Sequence, residues 1–302
     1  MKISTLKLAG ALVVLVGLYF VIDMFGGKSK SKGVKSELVS LQLDKVDFLS
    51  VKSPQNEVEL TKSDDSWSLK LPNGKIVRAE EAAVLRSIEA LKNVKPSRLA
   101  SKKKAKWSEY QVDSAGTRVI VKEEGKNALD LIIGKFSMVG QRSFQSFVRL
   151  YEDEATYVVR DFMSFSVPSD PNSYRFKTIT DFLNKDSINT VKFNYQGDSS
   201  FVVEKLKGEW YSAGQVLDSV KIGNYLNNIT RLSSSKFYDE ELLAINPVSK
   251  IEFIGSDGSL ISSLSSFNQD SLNIVISSIN SDSQFNDESV YDKSFISLSE
   301  LQ

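Results

Sequence analysis

Cysteine and histidine are both absent from the 302 residues. Without cysteine there is no disulfide, no thiolate nucleophile, no zinc-thiolate site and no acylated lipoprotein cysteine. Without histidine the side chain whose ordinary pKa lies nearest neutrality is missing, which excludes Ser-His-Asp and Cys-His catalysis and most transition-metal sites. No Walker A loop, dinucleotide glycine fingerprint, H-x-E or C-x-x-C spacing occurs. Any enzyme built on this chain would work with carboxylate, Lys, Tyr or Ser alone. The expectation is a non-enzymatic protein with no catalytic residue, no cofactor-binding residue and no metal ligand.

What is present describes an ordinary folding chain. Hydrophobic residues make up 41% and charged residues 25%, which is globular rather than disordered. A length of 302 suits two domains of about 100 to 150 residues. Net charge is zero, with 38 basic and 38 acidic residues, but the sign is unevenly spread. Residues 239–302 hold two basic residues, Lys250 and Lys293, against eleven acidic ones, leaving the preceding part at +9. Such asymmetry suits a solvated acidic surface, or a device that orients two domains.

Near the N-terminus, Leu8 to Ile22 carries no charge, and Met24 and Phe25 extend the apolar run past Asp23. Leu8 to Phe25 is 18 residues, about 27 Å as a helix, close to the thickness of a bilayer core. A cleaved signal peptide, a retained anchor and a buried core helix compete for this segment. The run ends in Asp23-Met24-Phe25-Gly26-Gly27 rather than in small residues of an A-x-A pattern, which favours the retained anchor. Lys2 and Lys7 precede the helix, while Lys28, Lys30, Lys32 and Lys35 follow it, so positive charge does not decide orientation. A short basic tail before a signal-anchor and a long domain behind it favour export of the C-terminal side. Gly10 and Gly17 share one helix face, where a second membrane helix would approach closely, although Gly is also common in such helices.

Two stretches of the remainder repeat. Leu60-Thr61-Lys62 followed by Trp67 matches Val203-Glu204-Lys205 followed by Trp210, at an offset of 143. Upstream, Val46, Leu49 and Val51 correspond to Ile188, Val191 and Phe193; downstream, Leu85, Ile88 and Leu91 correspond to Leu226, Ile229 and Leu232. Each copy opens with strand patterns, VDFLSV, EVELTK and SWSLKL in the first, with a tight turn at Asp64-Asp65 or Lys207-Gly208. An amphipathic helix follows: Val84, Leu85, Ile88 and Leu91 in one copy, Ile222, Tyr225, Leu226 and Ile229 in the other, where Asp218 is placed to cap. The first copy continues with strands near Thr117–Lys122, Leu129–Ile133, Phe144–Leu150 and Thr156–Val159, with Asn127 and Gly134 read as turn residues. The Ser-rich tract from Ser256 to Ser289 alternates only weakly, in Leu272, Ile274 and Ile276, so the second copy is expected to be shorter and less stable at its end. The fold class expected is α+β: an N-terminal transmembrane helix, then two tandem, internally duplicated units of antiparallel strands with a covering helix. The divisions are 1–27 anchor, 28–40 basic flexible linker, 41–183 first repeat and 184–302 second repeat.

Several clusters invite chemistry. Asn280 to Phe285 looks like a calcium loop, but Phe285 stands where the turn needs Gly and Tyr291 where a bidentate Glu is needed. Acidic groups at Glu80-Glu81, Glu123-Glu124, Glu152-Asp153-Glu154 and Asp239-Glu240-Glu241 contain candidates for a glycosidase carboxylate pair, yet each suits a solvated turn or helix start. The run Lys102-Lys103-Lys104-Ala105-Lys106-Trp107 joins cations to an aromatic, as phosphate or nucleic-acid sites do; a solvated helix with Trp107 turned inward is the simpler reading, and no nucleic-acid partner is expected. Trp67 and Trp210 have the reach to stack a sugar, but their equivalent positions in both copies argue for core packing.

The order of membrane helix, strand pair, Trp strand and helix resembles the bacterial family called domain of unknown function 4340. Its members carry a Tyr-Gly-Leu-Asp-x-Pro-like motif, to which Tyr110-Gln111-Val112-Asp113 and Leu243-Ala244-Ile245-Asn246-Pro247 are similar. Both depart at the Gly, and the first lacks the Pro. Tyr174-Arg175-Phe176-Lys177, leading to Phe182, resembles the family's link between copies, and the likeness covers about Leu41 to Asn246. The resemblance implies no enzymatic activity. It implies an accessory or binding subunit of a gliding-motility-type ABC transporter complex, single-pass in the bacterial inner membrane with its bulk extracytoplasmic. A stand-alone module binding peptidoglycan or polysaccharide is the alternative, and a carboxylate-dependent hydrolase comes last.

Overall fold

A computed structural model describes residues 37–139, 143–243 and 246–302. The expected membrane helix, with Gly10 and Gly17, and the linker up to residue 36 lie outside these residues. Among the described residues no helix is long and apolar enough to cross a membrane. The last part of the expected linker is not a free spacer, because Leu38 and Val39 are buried with Leu41 in the first core.

The first half runs β1 (Val46–Lys52), β2 (Glu57–Ser63), β3 (Ser66–Lys70), β4 (Ile76–Arg78), α1 (Glu81–Lys92), β5 (Pro96–Ser101), α2 (Trp107–Tyr110), β6 (Thr117–Glu123), β7 (Lys126–Val139), β8 (Ser143–Leu150) and β9 (Thr156–Arg160). Its nine strands form one antiparallel sheet in the order β4-β3-β2-β1-β6-β7-β8-β9-β5. Asp64 and Asp65 both have positive φ, 48° and 61°, which is the backbone a two-residue hairpin turn needs to follow strand twist. Trp67 and Leu69 alternate inward, and α1 lays Ala83, Val84, Ile88 and Leu91 over them. Leu85, expected in that stripe, is 41% exposed, since it sits a quarter turn away from the 84-88-91 row.

The second half runs β10 (Thr178–Asp181), β11 (Ile188–Tyr195), β12 (Phe201–Leu206), β13 (Glu209–Ser212), β14 (Gln215–Val216), α3 (Ser219–Ile229), β15 (Arg231–Ser233), β16 (Ser249–Gly255), β17 (Leu260–Gln269), β18 (Leu272–Ser277), β19 (Asn280–Phe285) and α4 (Glu288–Ser294). Its sheet has the order β14-β13-β12-β11-β16-β17-β18-β19, the path of the first sheet without its ninth strand; β15, which follows α3 as β5 follows α1, pairs with β10 instead. The registers coincide as well. Lys62 faces Trp67 and Lys205 faces Trp210. The β1–β6 ladder slips between Val46 and Phe48, and the β11–β16 ladder slips between Ile188 and Thr190. A second slip falls after Val121 in one half and after Phe253 in the other. Asp218 caps α3 by accepting from the backbone N–H groups of Val220 and Lys221.

Three expectations change on this scaffold. Asn127 and Gly134 are not turn residues, because both lie inside the long β7; the turn is Glu124-Gly125, at φ 50° and 75°. The Ser-rich tract is not a degraded end, because it supplies β17, β18 and β19, with Ser262, Ser266, Ser277 and Ser283 buried between them and their cover. A small hydroxyl fits there where the β10–β15 pair lies close: Ser277 Oγ donates to the Ile179 carbonyl at 2.5 Å. Finally, Ile179 and Phe182, which the 183/184 boundary assigns to the first repeat, are buried in the second core.

The segment Tyr174–Phe176 joins the halves. It adds to the edge of β4: Glu80 N donates to Tyr174 O at 2.7 Å and Phe176 N to Arg78 O at 3.1 Å. Tyr174 enters the first core and shares a hydroxyl hydrogen bond with Ser87 at 2.9 Å. Arg175 is 1% exposed; its Nη1 donates to both carboxylate oxygens of Asp239 at 2.9 and 2.8 Å, and its guanidinium lies 3.6 Å from the Phe237 ring centre. Asp239 was expected to be a solvated terminus, but it is instead the counter-ion of a buried cation. Asp282 on β19 accepts from Arg78 N at 2.9 Å, so two of the eleven C-terminal acids sit at the joint.

Replacing Asp239 by Ala strands that guanidinium. We expect a loss of about 2 kcal/mol in urea denaturation, at the low end for a buried pair because the Asp239 side chain is 45% exposed.

Burial raises the pKa of Tyr174 to about 12, from an ordinary value of 10.0, and also raises Tyr195 and Tyr225. All three hold a proton in the folded protein that the unfolded chain releases first. Their stabilising contribution is complete below pH 10 and is lost as the pH climbs towards about 12. An absorbance titration should show these phenols ionising together with loss of the circular dichroism signal, and not before it.

Candidate functional site

The outer face of the first sheet carries a small second core. Phe147 and Arg149 alternate on β8 with Val148 pointing the other way, so one face of that strand shows a ring and a cation. Against it pack α2 and the loop Gln111–Gly116, with Val112, Ile132, Phe147 and Val158 buried together and Tyr110 stacked on Phe147 at 4.5 Å. Glycine is required on both sides of this contact. At Gly134 a Cβ would strike the Tyr110 carbonyl and reach Val112 Cγ1 at 2.7 Å, and at Gly116 it would strike the Gln111 carbonyl. This close approach, not a turn, is why Gly134 interrupts the apolar run of β7.

Between this loop and the β1–β2 turn lies a cleft of about 640 Å³. Trp107, Tyr151, Pro54 and Ile132 supply apolar surface, and Lys52, Arg118, Arg149 and Asp113 supply charge. Arg149 is 3% exposed. Its Nε donates to Val112 O at 3.0 Å, and its Nη1 to Leu150 O, Tyr151 O and Asp153 O at 3.1, 2.6 and 3.1 Å. The guanidinium plane is held 3.7 Å from the centre of the Trp107 ring, whose Nε1 donates to Glu154 O at 3.0 Å. Burial lowers the pKa of Arg149, partly offset by the negative potential of Tyr151, Asp130, Asp113 and Asp153. An arginine keeps its charge regardless.

The neighbouring groups are already paired. Arg118 forks onto Asp130, Nε to Oδ1 at 2.9 Å and Nη2 to Oδ2 at 2.7 Å, and lies 3.5 Å over the Tyr151 ring. Lys52 meets Glu57 at 2.8 Å. Asp113 accepts from Ser108 Oγ at 2.7 Å and from Ala115 N at 3.1 Å, and these bonds hold its pKa below the usual carboxylate range. The arrangement offers a fixed cation flanked by rings, and its one lining carboxylate is held ionised.

The sequence candidates are dispersed around this cleft. Trp107 reaches it, but from the basic run Lys106 turns to Glu109 at 2.6 Å, and Lys104 lies over the outer Trp107 ring at 5.1 Å. Tyr110-Gln111-Val112-Asp113 forms the wall loop. The counterpart motif in the second half includes Ala244 and Ile245, which lie outside the described residues. Of Glu152-Asp153-Glu154, the backbone carbonyls of Asp153 and Glu154 accept from Arg149 and Trp107. Trp67 and Trp210 are buried in the two main cores, as their shared register implied. Asn280 to Phe285 is strand β19, and among the described residues no cluster of metal-ligating side chains occurs. A second cleft, of about 660 Å³, gathers Glu57, Glu59 and Asp239, but these carboxylates are paired with Lys52, Lys70 and Arg175.

Arg149, Arg118 and Tyr151 were not singled out from the sequence. The signal for Arg149 was an arginine inside an apolar strand. Aligned by register, β18 puts Ile276 where β8 has Arg149, and β16 and β17 put Lys250 and Ser263 where the first half has Arg118 and Asp130. The charged cleft therefore belongs to the first half alone.

Gln111 sits at φ 54°, in the left-handed region, as it closes α2. This is the motif position at which the resembled family carries Gly. Gln111→Gly should raise stability by about 1 kcal/mol, read as a higher melting temperature.

A profile of the family described as "Domain of unknown function (DUF4340)" matches residues 67–247, more than half of the chain and the whole span from the first Trp strand to the second motif. No curated protein and no solved structure matches.

Proposed function

The chain belongs to the DUF4340 family, and from that premise we propose a non-enzymatic binding subunit, tethered to the bacterial inner membrane by residues 1–27 with its folded part outside the cytoplasm. Its place is that of an accessory component of an ABC-transporter-type envelope complex, of the gliding-motility kind. The observation that carries the binding role is Arg149: a buried cation, stacked on Trp107 and bonded, among the described residues, to neutral carbonyls, beside an open cleft. Packing alone does not call for such a residue, since the equivalent place in the second half holds Ile276. The tether rests on the uncharged run Leu8 to Ile22 and its extension to Phe25.

We read the two halves as a tandem duplication, on the shared strand order and shared ladder slips, in which the first copy kept or gained the cleft. The accompanying aromatics, Trp107 and Tyr151, favour one second reading, a stand-alone module that holds envelope saccharide.

Full-length protein should stay in the membrane fraction through an alkaline wash. A phosphatase reporter fused after Gln302 should be active outside the cytoplasm, and photo-crosslinkers at Gly10 or Gly17 should trap a permease. Release by the wash, or a reporter active only in the cytosol, rejects the tether. Capture on purified cell wall without any permease crosslink selects the stand-alone module.

A further inference from the structure

We infer that the Trp107–Arg149 cleft binds a single carboxylate carried on a six-membered ring, a deepening that rests on the binding-subunit reading. Four carbonyl contacts occupy Nε and Nη1 of Arg149, and among the described residues none of its hydrogen bonds uses Nη2. Trp107 fixes the plane of the guanidinium, so the remaining N–H donors keep one direction. Among the described residues no salt bridge contacts Arg149; Asp130, Asp113 and Asp153 act on it at longer range, and a buried cation is further stabilised by an anion in direct contact.

The charge of the lining selects the anion. Three cations face one carboxylate across the cleft. Arg118 and Lys52 are already matched by Asp130 and Glu57, which leaves Arg149, with Asp113 as the remaining lining charge of opposite sign. Asp113, kept ionised by Ser108 and Ala115, repels a second negative charge. A monocarboxylate brings one negative charge to the free edge of Arg149, whereas a phosphate dianion brings a second that finds no further cation and meets Asp113.

The shape selects the body. Trp107 and Tyr151 present ring surface, and about 640 Å³ accommodates a ring with a short substituent. Two sources share this chemistry, a uronic acid of an envelope saccharide and a free aromatic acid.

Isothermal titration of the full-length protein in detergent tests the assignment, with glucuronate, benzoate, benzamide and phenyl phosphate as probes. At least one of the two carboxylates should saturate, and the tighter of them identifies the source. Benzamide and phenyl phosphate should bind at least about tenfold more weakly, the loss of one charge-assisted hydrogen bond. Ser114→Trp, an exposed position on the cleft wall, should abolish saturation without lowering the melting temperature, whereas Asn172→Trp in the other cleft should leave binding unchanged. Failure of both carboxylates, benzamide or phenyl phosphate binding as tightly as the better-bound carboxylate, or persistence of binding in Ser114→Trp each overturns the inference. Membrane retention and permease crosslinking are read separately. Lost binding with retained crosslinks removes only the ligand, and retained binding without crosslinks removes only the accessory role.

Discussion

A buried arginine at a strand edge sets the relation between the two sheets. The β4 edge has unpaired backbone groups, and Tyr174–Phe176 meets them as an added strand. That places Arg175 between Phe237 and Asp239, contributed by the half that follows. A guanidinium so enclosed tolerates few positions of its carboxylate, so the pair acts as a constraint on register between halves more than as a source of stability. Asp282 on Arg78 N, and Asn280 donating to Phe176 O at 2.9 Å, extend the constraint along β19.

Within each half the same problem is solved twice. A wide antiparallel sheet needs its inner face covered, and a helix following the Trp hairpin does this in both, with Trp67 or Trp210 beneath it. The two halves then diverge. The first half closes its outer face with α2 and a loop pressed so tightly that only glycine fits at positions 116 and 134. In the second half the β10–β15 pair lies on the inner face, where Ile179 and Leu232 join the main core and small hydroxyls such as Ser277 take the place of apolar bulk. A repeated scaffold can hold its core register constant while one outer face changes into a cleft. Arg149 against Ile276 marks that change at a single ladder position.

Elements with a strong local period were legible from residues alone. Trp67-Leu69 alternation, the Val84-Ile88-Leu91 stripe, the Asp218 cap and the 143-residue offset between tryptophans each depend on neighbours within a few positions, or on direct comparison of two segments. Gly134 was misread because a glycine in a strand signals either a turn or a close approach, and the approaching backbone, Tyr110, is far away in sequence. The serine-rich strands were undervalued because weak apolar alternation looks like weak structure until the covering pair is known. The cleft was hidden for a similar reason: Trp107, Arg118, Arg149 and Tyr151 come from four segments, each unremarkable by itself.

The Trp hairpin and covering helix of each half, the repeat, the absence of histidine and cysteine chemistry, and the family likeness were determined by the chain's own letters, since period and composition are local or additive properties. The edge-to-edge joint through Arg175, the two-sided burial of the first sheet and the buried cation beside Trp107 were decided only by tertiary structure. Each depends on which distant backbone comes to lie against a given face, and that is set by the packing of the whole chain.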